Sequence, residues 1–170
     1  RGRGHLPFAS SDWAAIALNL SMQGRHREAE AFLLKAPRFE ALRGDPNGAD
    51  YADVIPEAIA RVRLDAADIH GAKQALPLTK PTEYEDRVPN FFQYYQLRGE
   101  IRCASGEYRA GLDDLSRSLR SQSILLGPSS PSLARLRAVA GLCALALGDR
   151  RQAEQLGSDA KRAFEDQPNV

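Results

Sequence analysis

The chain has 170 residues, 43% of them hydrophobic, and its 23 basic and 22 acidic residues leave a net charge of +1. This apolar content argues against disorder, and the balanced charge argues against nucleic acid as a partner. No apolar run approaches the ~20 residues that a membrane helix needs, so we expect no membrane contact.

The first half of the chain predicts four helices. The first follows the capping residues Ser10 to Asp12 and ends at Gly24, where the second begins. Pro37 ends or kinks the second helix, and the turn-rich stretch 43–50 links it to a third that begins near Ala52. A fourth helix follows from about residue 69, and we expect it to be short or broken because Pro77 and Pro81 interrupt it.

The second half predicts four longer helices after the irregular segment 78–89. Their expected ranges are about 91–104, 108–125, 132–147 and 150–164. The aromatic residues at positions 91, 92, 94 and 95 are interpreted as packing residues rather than as a base-stacking surface. No segment of the chain is predicted to form a strand.

Four turns share one pattern of small residues. The turns are Gly24, Ala67, Gly106 and Gly148, spaced 43, 39 and 42 residues apart. Seven residues before them stand Ala17, Ala60, Gly99 and Gly141, and five residues after them stand Ala29, Ala72, Gly111 and Ala153. Small residues on both helices of a pair let the two backbones approach closely. A period near 42 therefore predicts an all-α fold: an α-solenoid of four helix-turn-helix repeats, with about eight antiparallel helices.

These residues resemble the tetratricopeptide repeat (TPR) family. Its pattern is Trp-x2-Leu-Gly-x2-Tyr and then Ala-x3-Phe, which the first repeat follows with Trp13-x2-Ile16-Ala17 and Ala29-x3-Leu33. The long period is similar to that of the kinesin-light-chain and bacterial-regulator subtype. The resemblance implies an array over residues 10–166, with repeats of about 10–44, 50–80, 90–126 and 131–166. Residues 1–9 are then a linker or tail, and residues 167–170 are a tail.

The resemblance also implies a binding surface. In such arrays the first helix of each pair lines a concave groove, at positions 13, 10, 6 and 3 residues before each turn. We call these positions the groove stripe. Its principal candidates are Ser11, Ala14, Leu18, Glu57, Arg61, Gln93, Gln96, Glu100 and Arg135, and its remaining members are Ser21, Val54, Leu64, Cys103, Ala138, Leu142 and Leu145. The middle of the stripe is polar and its two ends are small or apolar.

The expected function is a non-catalytic protein-interaction module, the regulatory or scaffolding part of a larger bacterial protein. Its partner is a protein or peptide segment, or another domain of the same chain, such as a kinase or a transcription regulator. A helical-repeat RNA-binding module is the alternative, although it needs a basic groove. TPR grooves that capture the C-terminal carboxylate of a chaperone tail use Lys and Asn from their first repeats. The groove stripe has neither residue type in its first repeat, so we do not expect a chaperone tail as the partner.

No pattern in the chain predicts catalysis. His5, His26 and His70 lack metal-ligand spacing, and no phosphate loop or nucleophile elbow occurs, so we expect no enzyme activity, metal or cofactor. The neighbouring acids Glu28 and Glu30, and likewise 113 and 114, are interpreted as solvated helix surface. Cys103 and Cys143 lie in apolar helical runs and are predicted to be buried and reduced, which favours a cytoplasmic location.

Overall fold

The computed structural model describes residues 10–36, 54–76 and 91–165. Within these ranges every regular element is a helix, which confirms the all-α helical repeat fold. The helices are α1 (Ser10–Met22), α2 (His26–Leu33), α3 (Val54–Asp65), α4 (Ile69–Ala75), α5 (Phe91–Ala104), α6 (Tyr108–Leu125), α7 (Pro131–Leu147) and α8 (Arg150–Glu165). The predictions for the tails, for Pro37 and the stretch 43–50, and for Pro77 to residue 89 fall outside the described residues.

The helices form two compact units. The first comprises Arg1–Leu78 and contains α1 to α4, and the second comprises Thr79–Val170 and contains α5 to α8. Within the described ranges, each unit holds two helical hairpins in which consecutive helices pack against each other. Each unit therefore contains two of the four predicted repeats, while the exact repeat boundaries stay predictions.

All four hairpin turns have the same backbone geometry. The turn residues Gly24, Ala67, Gly106 and Gly148 adopt φ angles of 77°, 60°, 82° and 91°. In the first turn the amide of Arg25 donates to the carbonyl of Leu20, and the amide of Gly24 donates to that of Ser21. The same pair of bonds recurs at the other three turns, which defines the Schellman ending of a helix. The predicted turns are confirmed, including the one where alanine replaces glycine.

The small residues beside the turns lie where the helices of a hairpin touch. Ala17, Ala29, Ala60 and Ala72 are fully buried, and Gly99, Gly111 and Gly141 are buried as well. A Cβ atom at Gly99 would stand 2.9 Å from the carbonyl oxygen of Gly111, and one at Gly111 would stand 3.0 Å from that of Gly99. The backbones of α5 and α6 thus meet directly at these two glycines.

The first unit is built around α3, which packs against both α1 and α2. Its core contains Leu33, Ile55 and Val62, and the half-buried Trp13 stacks on Phe32 with ring centroids 4.1 Å apart. The fourth helix has only seven residues, so the prediction of a short helix is confirmed. The side chain of Asp68 caps its first turn by accepting a hydrogen bond from the amide of residue 71 at 2.9 Å.

In the second unit α7 packs chiefly against α6. Leu112 and Leu115 of α6 are buried against Leu136 and Ala140 of α7. Tyr94 and Tyr95 of α5 are also buried, which confirms that they are packing residues. The side chains of Phe91 and Phe92 lie outside the described part.

The cysteine prediction was wrong. Cys103 and Cys143 form a disulfide bond that joins α5 to α7 across 40 positions of sequence, with Cα atoms 5.6 Å apart. Each cysteine lies inside a helix rather than in a loop, and for this reason the two were predicted to be separate buried thiols. Stacking of successive hairpins brings the two helices together, and a helical period in the sequence does not reveal which side chains then meet.

We predict opposite outcomes for alanine at two glycines of equivalent position. Gly99→Ala should lower the free energy of unfolding by about 1–3 kcal/mol, because its Cβ would lie 2.7 Å from Cγ of the buried Leu115. Gly141→Ala should leave stability unchanged or raise it by up to about 1 kcal/mol, because its nearest neighbour lies at 3.4 Å and alanine favours the helix. Urea denaturation measures both values, and equal effects would contradict the close approach at Gly99.

We also predict that the disulfide stabilises the second unit. The Cys103→Ser/Cys143→Ser variant should lose about 3–4 kcal/mol of unfolding free energy, because the bond closes a loop of 40 residues in the unfolded chain. Denaturation with and without dithiothreitol checks this value. The reductant should destabilise the unmodified protein and leave the double-serine variant unaffected, so an equal response of the two would contradict the prediction.

Candidate binding surface

The groove stripe of α1 is largely part of the hydrophobic core. Ala14 is buried and Leu18 is half-buried against the same cluster of side chains. The side chain of Ser11 lies outside the described residues. Ser21 is also buried, and its hydroxyl donates to Oδ2 of Asp65 at 3.0 Å and contacts Nδ1 of the half-buried His26 at 3.0 Å. The first hairpin therefore presents little of this stripe to a ligand.

The stripe of α3 carries charged groups that have internal partners. Glu57 and Arg61 are half-buried, and Nη1 of Arg61 lies 3.9 Å from Oδ1 of Asp65. Because Asp65 also accepts from Ser21, it connects α3 to α1. These charged side chains therefore contribute to the packing of the first unit.

The polar middle of the stripe on α5 forms a chain of hydrogen bonds. Gln96 donates to Glu100 at 2.8 Å and accepts from Gln122 of α6 at 3.0 Å, and Gln122 donates to the buried Ser118 at 3.0 Å. Glu100 is buried, whereas Gln93 is exposed. The amide of Gln96 thus joins α5 to α6.

A second polar cluster in this unit corrects the interpretation of residues 113 and 114. Asp113 is exposed as expected, but Asp114 is buried. Arg98 donates two hydrogen bonds to its carboxylate at 2.7 Å, and Arg102 donates a third at 2.7 Å. These bonds to Asp114 raise the pKa of Arg98, whose guanidinium also lies over the ring of Tyr95 at 5.1 Å. The cluster holds α5 on α6.

An open groove runs between α7 and α8. It has a volume of about 840 Å³, and stripe positions Ala138, Leu142 and Leu145 line its α7 side. Leu142 is 68% exposed, Leu145 is 54% exposed, and Phe164 of α8 is 51% exposed. We call this feature the terminal groove. It joins three large exposed apolar side chains into one patch, which is unusual for a surface that faces only water.

The floor and edge of the terminal groove have a distinct chemistry. Gly157 of α8 lies in the floor, and a Cβ atom there would meet nothing within 4 Å. Glu154 lies one turn before this glycine, while Arg150 and Lys161 provide basic groups on either side. The groove can therefore accept a bulky apolar side chain over its centre and charged groups of either sign along α8.

The terminal groove corresponds to a face that is covered in the preceding hairpin. Counted from the turns, Glu154 and Gly157 are equivalent to Leu112 and Leu115. Those two leucines are buried against α7. Within this unit, the face that accepts a helix in one hairpin is therefore open in the next.

Arg135, the last principal candidate, is exposed near the start of α7 and does not line the terminal groove. No group of histidine, cysteine and carboxylate side chains in the described ranges could hold a metal ion. None of the described helices is long and apolar enough to cross a membrane.

No protein-family model and no curated protein matches the sequence. The likeness to tetratricopeptide repeats therefore stays a proposal that rests on the residues quoted above and on the repeated turn geometry.

The stripe located only part of the terminal groove. Its spacing identified Ala138, Leu142 and Leu145 on α7, although none of them was a principal candidate. The contribution of α8 was missed because the stripe takes its positions from the first helix of each pair only. The spacing of Gly157, Lys161 and Phe164 by four and three residues is the signal that could have placed them on one helix face.

We predict that the buried carboxylate is essential for stability. Asp114→Ala should lower the unfolding free energy by about 3 kcal/mol, because two largely buried guanidinium groups lose their shared partner. Asp113→Ala is the matched control on the same helix and should change it by less than about 0.5 kcal/mol, because that side chain is exposed. Urea denaturation followed by circular dichroism measures both variants, and equal losses would contradict the role of Asp114.

Proposed function

We propose that this chain is a non-catalytic protein-interaction module that receives a helical segment in the terminal groove. The observation that carries the proposal is the exposure of Leu142 and Leu145 beside the open face of α8, because the counterpart of that α8 face in the preceding hairpin is covered by α7. A face of this kind gains free energy when an amphipathic helix removes its leucines from water. The proposal moves the expected site from the polar middle of the stripe to its apolar end.

In this proposal the array is TPR-like and serves as a regulatory or scaffolding part of a larger bacterial protein. The helical segment belongs to another protein, or to another domain of the same parent chain, such as a kinase or a transcription regulator. The engagement of Gln96 and Glu100 in internal hydrogen bonds supports a ligand that binds by apolar contact. Peptide backbone capture by these side chains receives no support, because Glu100 is buried and the amide of Gln96 already bonds to Glu100 and to Gln122.

RNA binding remains the weaker alternative. It requires several phosphate contacts along one basic surface. The terminal groove instead combines two basic groups with Glu154 and an apolar patch. Its chemistry favours a protein ligand.

The cytoplasmic location stays a prediction, and the disulfide weighs against it. Disulfide bonds persist mainly in oxidising compartments. Trapping of free thiols with an alkylating reagent during isolation from the native source, followed by mass spectrometry, tests the location. Free Cys103 and Cys143 would favour the cytoplasm, and a bonded pair would favour an oxidising compartment.

The proposed function can be tested with a displayed library of helical peptides that is selected against the dilute, folded chain. We expect selected peptides to share an apolar stripe at spacings of three and four residues. Leu142→Asp should weaken their binding at least about 10-fold, because it places a charge in the apolar contact. Fluorescence anisotropy with labelled peptides measures the affinity.

A matched variant controls for nonspecific loss of binding. Ile124 is 84% exposed on α6 and does not line the terminal groove, so Ile124→Asp should leave peptide affinity unchanged. Circular dichroism should show that both variants are folded. If Leu142→Asp binds the selected peptides as tightly as the unmodified chain does, the terminal groove is not the binding site and the proposal fails.

A further inference from the structure

We propose that the terminal groove binds the terminal groove of a second copy of this chain, and that the two copies form a symmetric dimer. This inference rests on the proposed function, since it names the partner of the same surface. In the dimer the two α8 helices cross antiparallel near Gly157, and the leucines of each α7 are covered by the other copy.

The charges along α8 complement themselves when the helix is turned end for end. Glu154 lies three residues before Gly157, and Lys161 lies three residues after Ser158. An antiparallel crossing whose centre lies between Gly157 and Ser158 places Glu154 of one copy opposite Lys161 of the other. The same crossing places Arg150 opposite Glu165, whose Oε1 also lies 3.5 Å from Nζ of Lys161 in its own helix. Four pairs of opposite charge thus form across a single two-fold axis, which is charge complementarity of the surface with itself.

The groove has the shape that this crossing needs. The floor at Gly157 is open, because a Cβ atom there would have no neighbour within 4 Å. Two helices can therefore approach closely at this point. Leu142, Leu145 and Phe164 lie around the same floor, and their exposed surface becomes buried when the two faces meet. The apolar contact supplies affinity, and the charge pairs select the antiparallel direction.

Symmetry favours this partner over an indefinite stack. A two-fold contact uses the same face on both copies and closes after two chains. A head-to-tail contact would bring a different face against the groove and would continue into a ring of several copies or into a fibre. Only the two-fold contact uses the self-complementary charges of α8.

Sedimentation velocity on the full chain tests the proposal. Over concentrations from about 1 to about 500 µM we expect a shift from 18.6 kDa to twice that mass. Leu142→Asp should abolish the shift. A chain that stays monomeric over the whole range overturns the dimer. If that monomer still binds selected peptides through Leu142, the proposed function stands while this inference fails.

Charge exchange tests the antiparallel register. Glu154→Lys should weaken dimerisation at least about 10-fold, because it sets two lysines against each other at both pairs of the interface. Adding Lys161→Glu to that variant should restore the dissociation constant to within about 3-fold of the original, because the pairs are re-formed with reversed sign. Asp113→Lys makes the same change of charge on α6, outside the groove, and should have no effect.

Two results would overturn this register. One is a double exchange that binds as weakly as Glu154→Lys alone. The other is an equal weakening by Asp113→Lys, which would attribute the effect to net charge rather than to contact. The substituted side chains of α8 line an open groove, so their exchange leaves the hairpin packing intact.

Discussion

The close approach of two helix backbones beside a left-handed turn is the constraint on which the rest of this structure depends. Each hairpin reverses direction at a residue with positive φ, and small residues before and after that turn let the two helices touch. At Gly99 and Gly111 this contact leaves no room for a methyl group. Larger side chains at these positions would separate the helices and alter the face on which the next hairpin stacks.

This constraint explains why the fold could be predicted from the sequence. A turn with positive φ favours glycine, and a close contact requires glycine or alanine, so both features restrict residue type at fixed spacings. Ala67 shows that the spacing is more informative than the glycine itself, because it adopts a φ of 60° in the same turn. The all-α architecture and the hairpin turns followed from this pattern.

Side-chain partners were harder to predict because they depend on how the hairpins pack. Asp114 and its exposed neighbour Asp113 are the same residue type. The burial of Asp114 is explained only by the packing of α5, from which Arg98 and Arg102 bond to its carboxylate. Cys103 and Cys143 are 40 positions apart and meet through stacking of α7. The groove stripe was derived from one helix of each pair, so it could not include the half of the terminal groove that α8 provides.

The same internal contacts also explain how the second unit supports a binding surface. The disulfide fixes α7 to α5, while the Asp114 cluster and the hydrogen bonds of Gln122 fix α6 to α5. The leucines of the terminal groove therefore lie on a helix, α7, that a covalent bond and buried side chains hold in place. A ligand that binds such a surface loses less free energy to ordering of the protein, so a modest apolar area is sufficient for useful affinity. Stability inside the unit and the recognition that we propose at its open face thus have a common origin in the stacking of hairpins.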